Sequence, residues 1–542
     1  MQPRDEAPSD GRDDGTDRIR ALWNDLYPGE TVELAALLAD IGIAAARFRK
    51  GASRRRETAR RADLVYAMYP DAFGGSLEGA IPHLDELDRL GVRTLWILPL
   101  LRSPGRDQGF DISDYHHVAD EFGGDRAFLR LLRAAHDKGM RVVFDIAINH
   151  SSDEHPWFAA SASGDPEYRD YYHWSADGKG YSAAGLVFPG MVDSNWTRHE
   201  PSGMYYFHRF YPFQPDLNYG NPRVAREMTK ALLHWKTLGV DGFRMDAAAL
   251  IWKREGTSCE NLPETHIILK LFRAALDRLE AGTLLVAEAN QAPADLLPYF
   301  GEGDECRAAY HFPLMPKFWQ AMAEAAPARL VDASFPALPE GCSWFTFLRC
   351  HDEVTLDLVS PEERRALAFE FMRDPRWSFR EGQAFSGRLF ELLGKDPDRT
   401  LMAFSLLFSM PGTPVLYYGD EIAMKNNESF WKERTARTGF MDSRFFHRGP
   451  YDTVREAKSF SEPCSDSGRV RRGLEAMLRL RSGSPELADS VPELTAQGPI
   501  LRSFRRAGNA SLEILSNLAG APARAFGAEL AAYGTRWTGT CS

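Results

Sequence analysis

The sequence predicts an α/β fold: a (β/α)8 TIM barrel with an inserted subdomain after strand 3, a helical N-terminal extension and a short C-terminal β domain. Short runs that are apolar on both faces alternate with amphipathic patterns such as residues 125–138, which is typical of parallel strands joined by helices. Seven or eight such units favour a closed barrel over an open sheet. The predicted strands are residues 64–68, 94–98, 141–148, 242–247, 283–287, 346–348 and 414–418.

Changes in composition predict where the domains begin and end. Residues 1–18, rich in aspartate with proline and glycine, read as a disordered leader, and residues 19–62 read as the helical extension. The barrel takes residues 63–150 and 221–490. Between these parts, residues 151–220 are far too long for an ordinary connection, so they predict a subdomain B that leans over the barrel mouth. Residues 491–542 alternate in polarity and predict the C-terminal β domain.

Charge and composition exclude several classes of partner. The chain has 542 residues, of which 44% are hydrophobic, and a net charge of -11. It has no basic stripe, so we expect neither nucleic acid nor a membrane surface as partner. No run reaches the roughly 18 apolar residues of a membrane span. The six cysteines are scattered, which favours reduced thiols in a cytoplasm. The expected partner is a small neutral molecule, and the oligomeric state stays open.

The run Gly242-Phe243-Arg244-Met245-Asp246-Ala247 is the most informative segment of the predicted barrel. Residues two apart in a strand leave the same face, so Arg244 lies beside Asp246 and favours its ionised form. An ionised carboxylate at the end of a strand is suited to act as a nucleophile. The alternative is an ion pair that only braces the barrel.

Acidic residues also follow three other predicted strands. Asp145 to His150 ends one strand, Glu288 follows another, and His351-Asp352 follows a third. Barrel enzymes place catalytic groups at these strand ends. Three carboxylates at one mouth repel one another, so a purely structural role for all of them would cost stability. Glycoside hydrolysis needs such a set: one group attacks the sugar, one protonates the leaving oxygen, and others stabilise the transition state.

These segments, in this order, resemble the four signature regions of glycoside hydrolase family 13, the α-amylase superfamily, over about residues 60–460. The resemblance implies that Asp246 is the nucleophile that forms a covalent glucosyl-enzyme and that Glu288 is the general acid/base. Asp352 would be the third carboxylate, which grips sugar hydroxyls. Members of the family need no cofactor for this chemistry.

The resemblance also implies residues that bind the sugar substrate. Arg244 would tune Asp246, while His150 and His351 would hydrogen-bond hydroxyls of the sugar in the cleaved subsite. Taken singly, either histidine is more often a core residue without contact to a ligand.

A closed pocket is implied by the segment after the second strand. In pocket-type relatives the equivalent of Asp107 pairs with an arginine that follows the last signature region, and this bridge closes the site behind one glucosyl unit. The arginine is Arg448 if the amylosucrase pattern applies, and Arg434 or Arg437 if the trehalose synthase pattern applies. Phe110 stands where most relatives have a tyrosine that stacks on the sugar.

One metal site is implied in the same way. Asn149 matches a position that in many members ligates a structural calcium, and Asp216 could supply a second oxygen. The alternative is that Asn149 only bonds the backbone of the insertion.

Two subfamilies compete for the activity. Trehalose synthase is resembled by residues 254–257, 259–266, 288–291, 304–306, 311–316, 351–356 and 410–424. This resemblance implies isomerisation or transglucosylation of maltose and trehalose through a retaining mechanism. The helical extension, residues 251–253 before 256–263, and residues 442–448 resemble amylosucrase and sucrose hydrolase. This second resemblance implies sucrose or short malto-oligosaccharides as donor, with α-glucosidase activity as a variant. Residues 439–442 depart from the trehalose synthase pattern, and Cys350 stands where an asparagine is common. A remote alternative is a non-catalytic carbohydrate-binding relative.

Overall fold

A closed barrel of eight parallel strands forms the centre of the computed structural model, which describes residues 15–51, 63–333, 335–482, 487 and 490–540. Each strand pairs with its neighbours in the chain, and the last pairs with the first, so the predicted fold class is confirmed. The strands are β1 (Val65–Met68), β2 (Thr94–Ile97), β3 (Arg141–Ala147), β4 (Gly242–Asp246), β5 (Leu284–Ala287), β6 (Ala308–Tyr310), β7 (Ser343–Thr346) and β8 (Thr413–Tyr417).

Two of the eight strands differ from the sequence prediction. The sequence prediction missed β6, because its three buried residues are too short a run to show a period. The run 346–348 was placed too late, since β7 spans Ser343–Thr346 and Phe347 already belongs to the loop that lines the barrel mouth.

Helices cover the outside of the barrel and bury apolar side chains against it. In the helix Gly124–Asp137 the buried residues Phe128, Leu131, Leu132 and Ala135 recur at helical spacing. Further helices in the outer layer are Leu84–Leu90, Pro222–Thr237, Pro263–Asp277, Leu314–Glu324, Pro397–Ser409 and Asp466–Ser482. No helix in the described parts of the chain is long and apolar enough to cross a membrane.

The N-terminal extension consists of the helices Thr16–Leu26 and Thr31–Gly51, which pack against Pro263–Asp277 and Pro222–Thr237. Ile19 and Trp23 are fully buried. The predicted leader therefore ends too late at residue 18, because Thr16 is already helical. Residues 1–14 of that leader, and residues 52–62, lie outside the described residues.

Three long excursions rise from the carboxyl ends of the strands. After β3, the insertion holds the helix Pro156–Ser163 and an antiparallel sheet of Trp174–Ser175, Tyr205–Phe207 and Trp196–Arg198. After β7, an excursion that the sequence did not reveal holds the helix Pro361–Phe371 and a sheet of Val354–Thr355, Ala384–Phe385 and Ser378–Phe379. After β8 come the helices Glu428–Thr438 and Thr453–Ser461.

The C-terminal part forms a four-stranded antiparallel sheet, in the range where the sequence predicts a β domain. Its strands are Glu493–Gln497, Ile500–Ala507, Ala510–Asn517 and Thr535–Thr540, beside a hairpin of Ala523–Ala525 and Ala528–Leu530. The hydroxyls of Ser405 and Ser516 lie 2.8 Å apart, which joins this sheet to the helix Pro397–Ser409.

Candidate active site

One buried guanidinium joins three carboxylates at the barrel mouth. The register of the barrel places Arg244 of β4 opposite Asp145 of β3. Its side chain is 1% exposed, and Nε lies 3.3 Å from Oδ1 of Asp145. Of the two terminal nitrogens, Nη1 donates to Asp246 and Nη2 donates to Glu288. The structure thus brings together the two carboxylates that the sequence marks as nucleophile and acid/base.

Glu288 has an environment that favours its protonated form. Burial raises the pKa of this carboxyl well above its ordinary value, and the charges of Asp246 and Asp352 raise it further, against the opposing charge of Arg244. The backbone N–H of Ala247 donates to Oε2 over 2.9 Å. Ala247 itself has a left-handed φ of 52°, a conformation that L-residues rarely adopt. A carboxyl that keeps its proton near neutral pH can act as a general acid.

Asp352 has the opposite environment, although it lies in the same pocket. Burial alone would raise the pKa of this carboxyl, but His351, Arg448 and Arg444 outweigh burial and hold the pKa well below its ordinary value. Oδ1 lies 3.0 Å from Nη2 of Arg448 and 3.4 Å from Nη1 of Arg444. Asp352 is therefore ionised at neutral pH.

A salt bridge closes one end of the pocket, and the arginine nearest to Asp107 is not among the predicted ones. Oδ1 of Asp107 lies 3.2 Å from Nη2 of Arg444 and 4.0 Å from Nη1 of Arg448. Asp442 fixes Arg444 through a contact of 2.7 Å. Arg448 is thus in the site, but Arg444 is the nearer partner of Asp107. The prediction missed it, although the run Asp442-Ser443-Arg444 places two opposite charges ahead of Phe445.

The other two arginines that were predicted as partners of Asp107 do not reach it. Arg434 donates to the backbone carbonyl of Gly105 over 2.7 Å, and Arg437 is exposed on the helix Glu428–Thr438. Neither prediction holds, because Arg434 is engaged by the backbone of Gly105 and Arg437 faces solvent.

Aromatic and amide groups line the same end of the pocket. The ring of Phe110 stacks on that of His351 at a centroid distance of 5.4 Å. Nε2 of Gln214 donates to Oδ2 of Asp107 over 3.2 Å and lies 3.3 Å from Nε2 of His150. Sequence reasoning missed Gln214, since a single glutamine in an irregular loop carries no periodic signal. Burial lowers the pKa of His150, so its imidazole is neutral.

These groups face a cavity of about 440 Å³, a size that suits a small ligand. Its wall is built by the loops after β2 to β8, which is where barrel enzymes place their catalytic groups. Lining residues beyond those above include residues 185–189 of the insertion, residues 289–291 after β5, and Phe312, Met315, Phe347, Cys350, Asp357 and Arg380.

The residues predicted to bind calcium do not fit a calcium ion. Nζ of Lys253 donates to Oδ1 of Asn149 over 2.6 Å and lies 2.7 Å from Oδ2 of Asp216. The backbone carbonyl of Leu250 accepts from the same ammonium. Although burial alone would raise the pKa of Asp216, Lys253 lowers it. The prediction of a metal at Asn149 and Asp216 is therefore corrected: a lysine ammonium supplies the positive charge between them.

Replacing this lysine by an isosteric apolar residue is expected to destabilise the fold. Lys253→Met leaves the buried carboxylate of Asp216 uncompensated, so we expect the free energy of unfolding to fall by roughly 3 to 5 kcal/mol. The measurement is chemical denaturation, with exposed Lys425→Met as control. EDTA is expected to leave the melting temperature of the natural chain unchanged, and a loss of stability with EDTA that calcium restores would contradict the assignment.

Comparison with known proteins gives the family. Residues 42–358, more than half of the chain, match the model of the alpha amylase catalytic domain. Trehalose synthase/amylase TreS of Mycolicibacterium smegmatis is 45% identical over 67% of this chain and 62% of its own length. Trehalose synthase of Thermus thermophilus is 40% identical over 70% of this chain and 40% of its own length. The chain spans about three fifths or less of these two relatives.

Solved structures agree on the fold. Sucrose 6F-phosphate phosphorylase from Thermoanaerobacter thermosaccharolyticum superposes with a TM-score of 0.71 at 18% identity, over 85% of this chain and 95% of its own. With the barrel, its carboxylates and the family match in agreement, the chain belongs to the alpha-amylase family of glycoside hydrolases.

Proposed function

We propose that the protein is a retaining α-glucosyl enzyme that acts on disaccharides and interconverts maltose and trehalose in the manner of a trehalose synthase. The observation that carries the proposal is the pair of carboxylates on Arg244. Nη1 binds Asp246, while Nη2 binds Glu288, whose pKa is raised by burial. A retaining mechanism needs this division between a nucleophile and an acid.

The chemistry then proceeds in two displacements. Asp246 attacks the anomeric carbon, and Glu288 gives its proton to the leaving oxygen, so that a glucosyl-enzyme and a free sugar form. Glu288, now ionised, takes the proton of an incoming hydroxyl, which attacks the anomeric carbon and releases Asp246. If the incoming hydroxyl belongs to the same free sugar, the product is an isomer of the substrate. If it belongs to water, the product is glucose.

The closed end of the pocket supports a small substrate. Asp107, Arg444 and Arg448 bridge the wall behind the carboxylates, with Gln214 donating to Asp107. A long glucan has no room to pass through this wall. The donor sugar would bind against Phe110, His150 and Asp352, which face the cavity on that side.

The opposite side of the pocket supports retention of the free sugar. Arg380, which is 8% exposed, donates through Nη2 to Asp357 over 3.0 Å and through Nη1 to the carbonyl of Val187 over 3.3 Å. Asp357 also accepts from Asn290 over 3.1 Å. One arginine thus ties the insertion after β3 to the loops after β5 and β7, and keeping water out favours isomerisation over hydrolysis.

The backbone of Arg380 is strained, and the nearby Trp431 is not part of this wall. Arg380 has a left-handed φ of 49°, a strained conformation that the surrounding contacts must hold in place. Trp431, in the helix Glu428–Thr438, stacks on Phe446 at 4.7 Å and lies outside the set of residues that line the cavity.

The names of the relatives support the same proposal. The two trehalose synthases above are at least 40% identical to this chain, although each extends well beyond it.

Sucrose as donor is the second candidate. It is supported by Arg444 and Arg448, which belong to the run that resembles amylosucrase and which both contact Asp352. A cytoplasmic location is part of the main proposal, since the five described cysteines are free thiols.

Product analysis separates the two candidates. We expect the purified protein to convert maltose to trehalose and trehalose to maltose, and Asp246→Asn to lose both activities because it removes the nucleophile. The measurement is NMR of the products after separate incubation with maltose, trehalose and sucrose. Release of fructose from sucrose without action on maltose would favour the second candidate and overturn the first.

The protonation of Glu288 predicts a pH profile. Because the first step needs the protonated acid, kcat/KM for maltose is expected to fall as the pH rises through the raised pKa of Glu288. In Glu288→Gln the basic limb should vanish and the rate should fall roughly 100- to 10,000-fold. α-Glucosyl fluoride, whose leaving group needs no acid, is the control and should restore much of the rate. A basic limb that persists in the variant would assign the acid elsewhere.

The wall tied by Arg380 predicts a change in product ratio. In Arg380→Ala the ratio of free glucose to isomerised disaccharide is expected to rise roughly tenfold, since a hydrogen bond to a charged group is worth roughly 1.5 to 3 kcal/mol. Arg376→Ala is the matched control, because Arg376 lies on the same excursion but pairs with Asp374 on the surface. An unchanged ratio in Arg380→Ala would remove this wall from the mechanism.

A further inference from the structure

We propose that Cys350, His351 and Asp352 form a binding site for Zn²⁺ or a similar transition metal, and that the bound ion blocks the pocket. Sγ of Cys350 and the ligand atoms of the histidine and the carboxylate all lie within 4.8 Å of one another. The site itself stands on this geometry. Only its effect on activity rests on the proposed function.

The three donors match what zinc prefers. Thiolate sulfur and imidazole nitrogen are its usual protein ligands, and a carboxylate oxygen is a common third. Cys350 is buried, yet both it and Asp352 line the cavity, so a fourth position faces the pocket. Three protein ligands with one open position is a recurrent arrangement for zinc. Binding would replace the thiol proton, which leaves to solvent.

His351 supplies an independent observation. Its ring is fully buried, and neither Nδ1 nor Nε2 has a hydrogen-bond partner. Nε2 lies 3.1 Å from Oδ2 of Asp352 but does not form a hydrogen bond with it. Phe110 stacks on one face of the ring, and Trp96 meets it edge-on at 5.6 Å. A buried polar atom without a partner is costly and calls for a ligand.

The charges around the site decide which ions can enter. Arg448 and Arg444 already hold Oδ1 of Asp352, so an incoming ion must compete with both for this carboxylate. The carboxylate of Asp246 lines the same cavity and offsets part of that repulsion. A hard cation such as Mg²⁺ gains nothing from a thiolate, whereas Zn²⁺ and Co²⁺ do. The site therefore selects for ions that bind sulfur.

The ion would occupy the space of the donor sugar. Asp352 is one of the groups against which the proposed function places the donor sugar, so metal and disaccharide cannot bind together. Inhibition by Zn²⁺ is therefore expected to be competitive with maltose.

Cobalt gives a test that needs no substrate. We expect a titration of the full chain with Co²⁺ to produce a thiolate-to-cobalt charge-transfer band that saturates at one equivalent and is removed by Zn²⁺. Cys464→Ser, which changes an exposed free thiol, should keep the band, and Cys350→Ser should lose it. A band that persists in Cys350→Ser, or that is absent from the natural chain, would overturn the site.

Alkylation of Cys350 and inhibition by Zn²⁺ test the metal site independently of the cobalt band. If Cys350→Ser fails to fold, as judged by circular dichroism, Zn²⁺ should still protect Cys350 of the natural chain from alkylation in peptide mass spectrometry. Equal alkylation with and without Zn²⁺ would overturn the site. In the activity assay, the inhibition constant for Zn²⁺ should rise at least roughly tenfold in Cys350→Ser, with Mg²⁺ inert throughout. A cobalt band in a protein that shows no glucosyl transfer would support the metal site and refute the proposed function.

Discussion

The guanidinium of Arg244 is the interaction on which the rest of the site depends. It binds Asp246 and Glu288 and lies 3.3 Å from Asp145, at a depth where it is 1% exposed. Without this cation, the buried carboxyl groups of Asp145, Asp246 and Glu288 would lie together with no compensating charge, and burying an unpaired ion costs several kcal/mol. The register of β3 with β4 fixes the arrangement, because it places Arg244 directly beside Asp145. The strand register that closes the barrel therefore also positions the charged groups of the site.

A second group of charges completes the mouth. Arg444 and Arg448 from the loop after β8 hold Asp352 and close the pocket at Asp107. These cations keep Asp352 ionised, whereas Glu288 keeps its proton because burial and neighbouring carboxylates dominate there. Two carboxyl groups in one pocket thus hold opposite protonation states, and each state is set by the surrounding groups rather than by the residue type.

The sequence predicts most of the barrel and its carboxylates but not the contacts made by irregular loops. Apolar runs mark most strands, and residues at strand ends meet at one edge, so Asp246, Glu288 and Asp352 could be found without a structure. The strand Ala308–Tyr310 is too short to show a period. Two contacts could not be predicted in this way: the salt bridge of Arg444 with Asp107, and the position of Lys253 between Asn149 and Asp216. Both depend on how far a side chain reaches across a loop. No local sequence pattern predicts which cation will lie beside a given buried carboxylate.

The most direct test of the account is to trap the covalent intermediate on Asp246. A slow substrate such as 5-fluoro-α-glucosyl fluoride should add one fluoroglucosyl group to the natural chain, and peptide mass spectrometry should place it on Asp246. Asp246→Asn should remain unlabelled. Labelling of another carboxylate, or turnover by inversion with no trapped species under any condition, would contradict the assignment of Asp246 as the nucleophile held by Arg244.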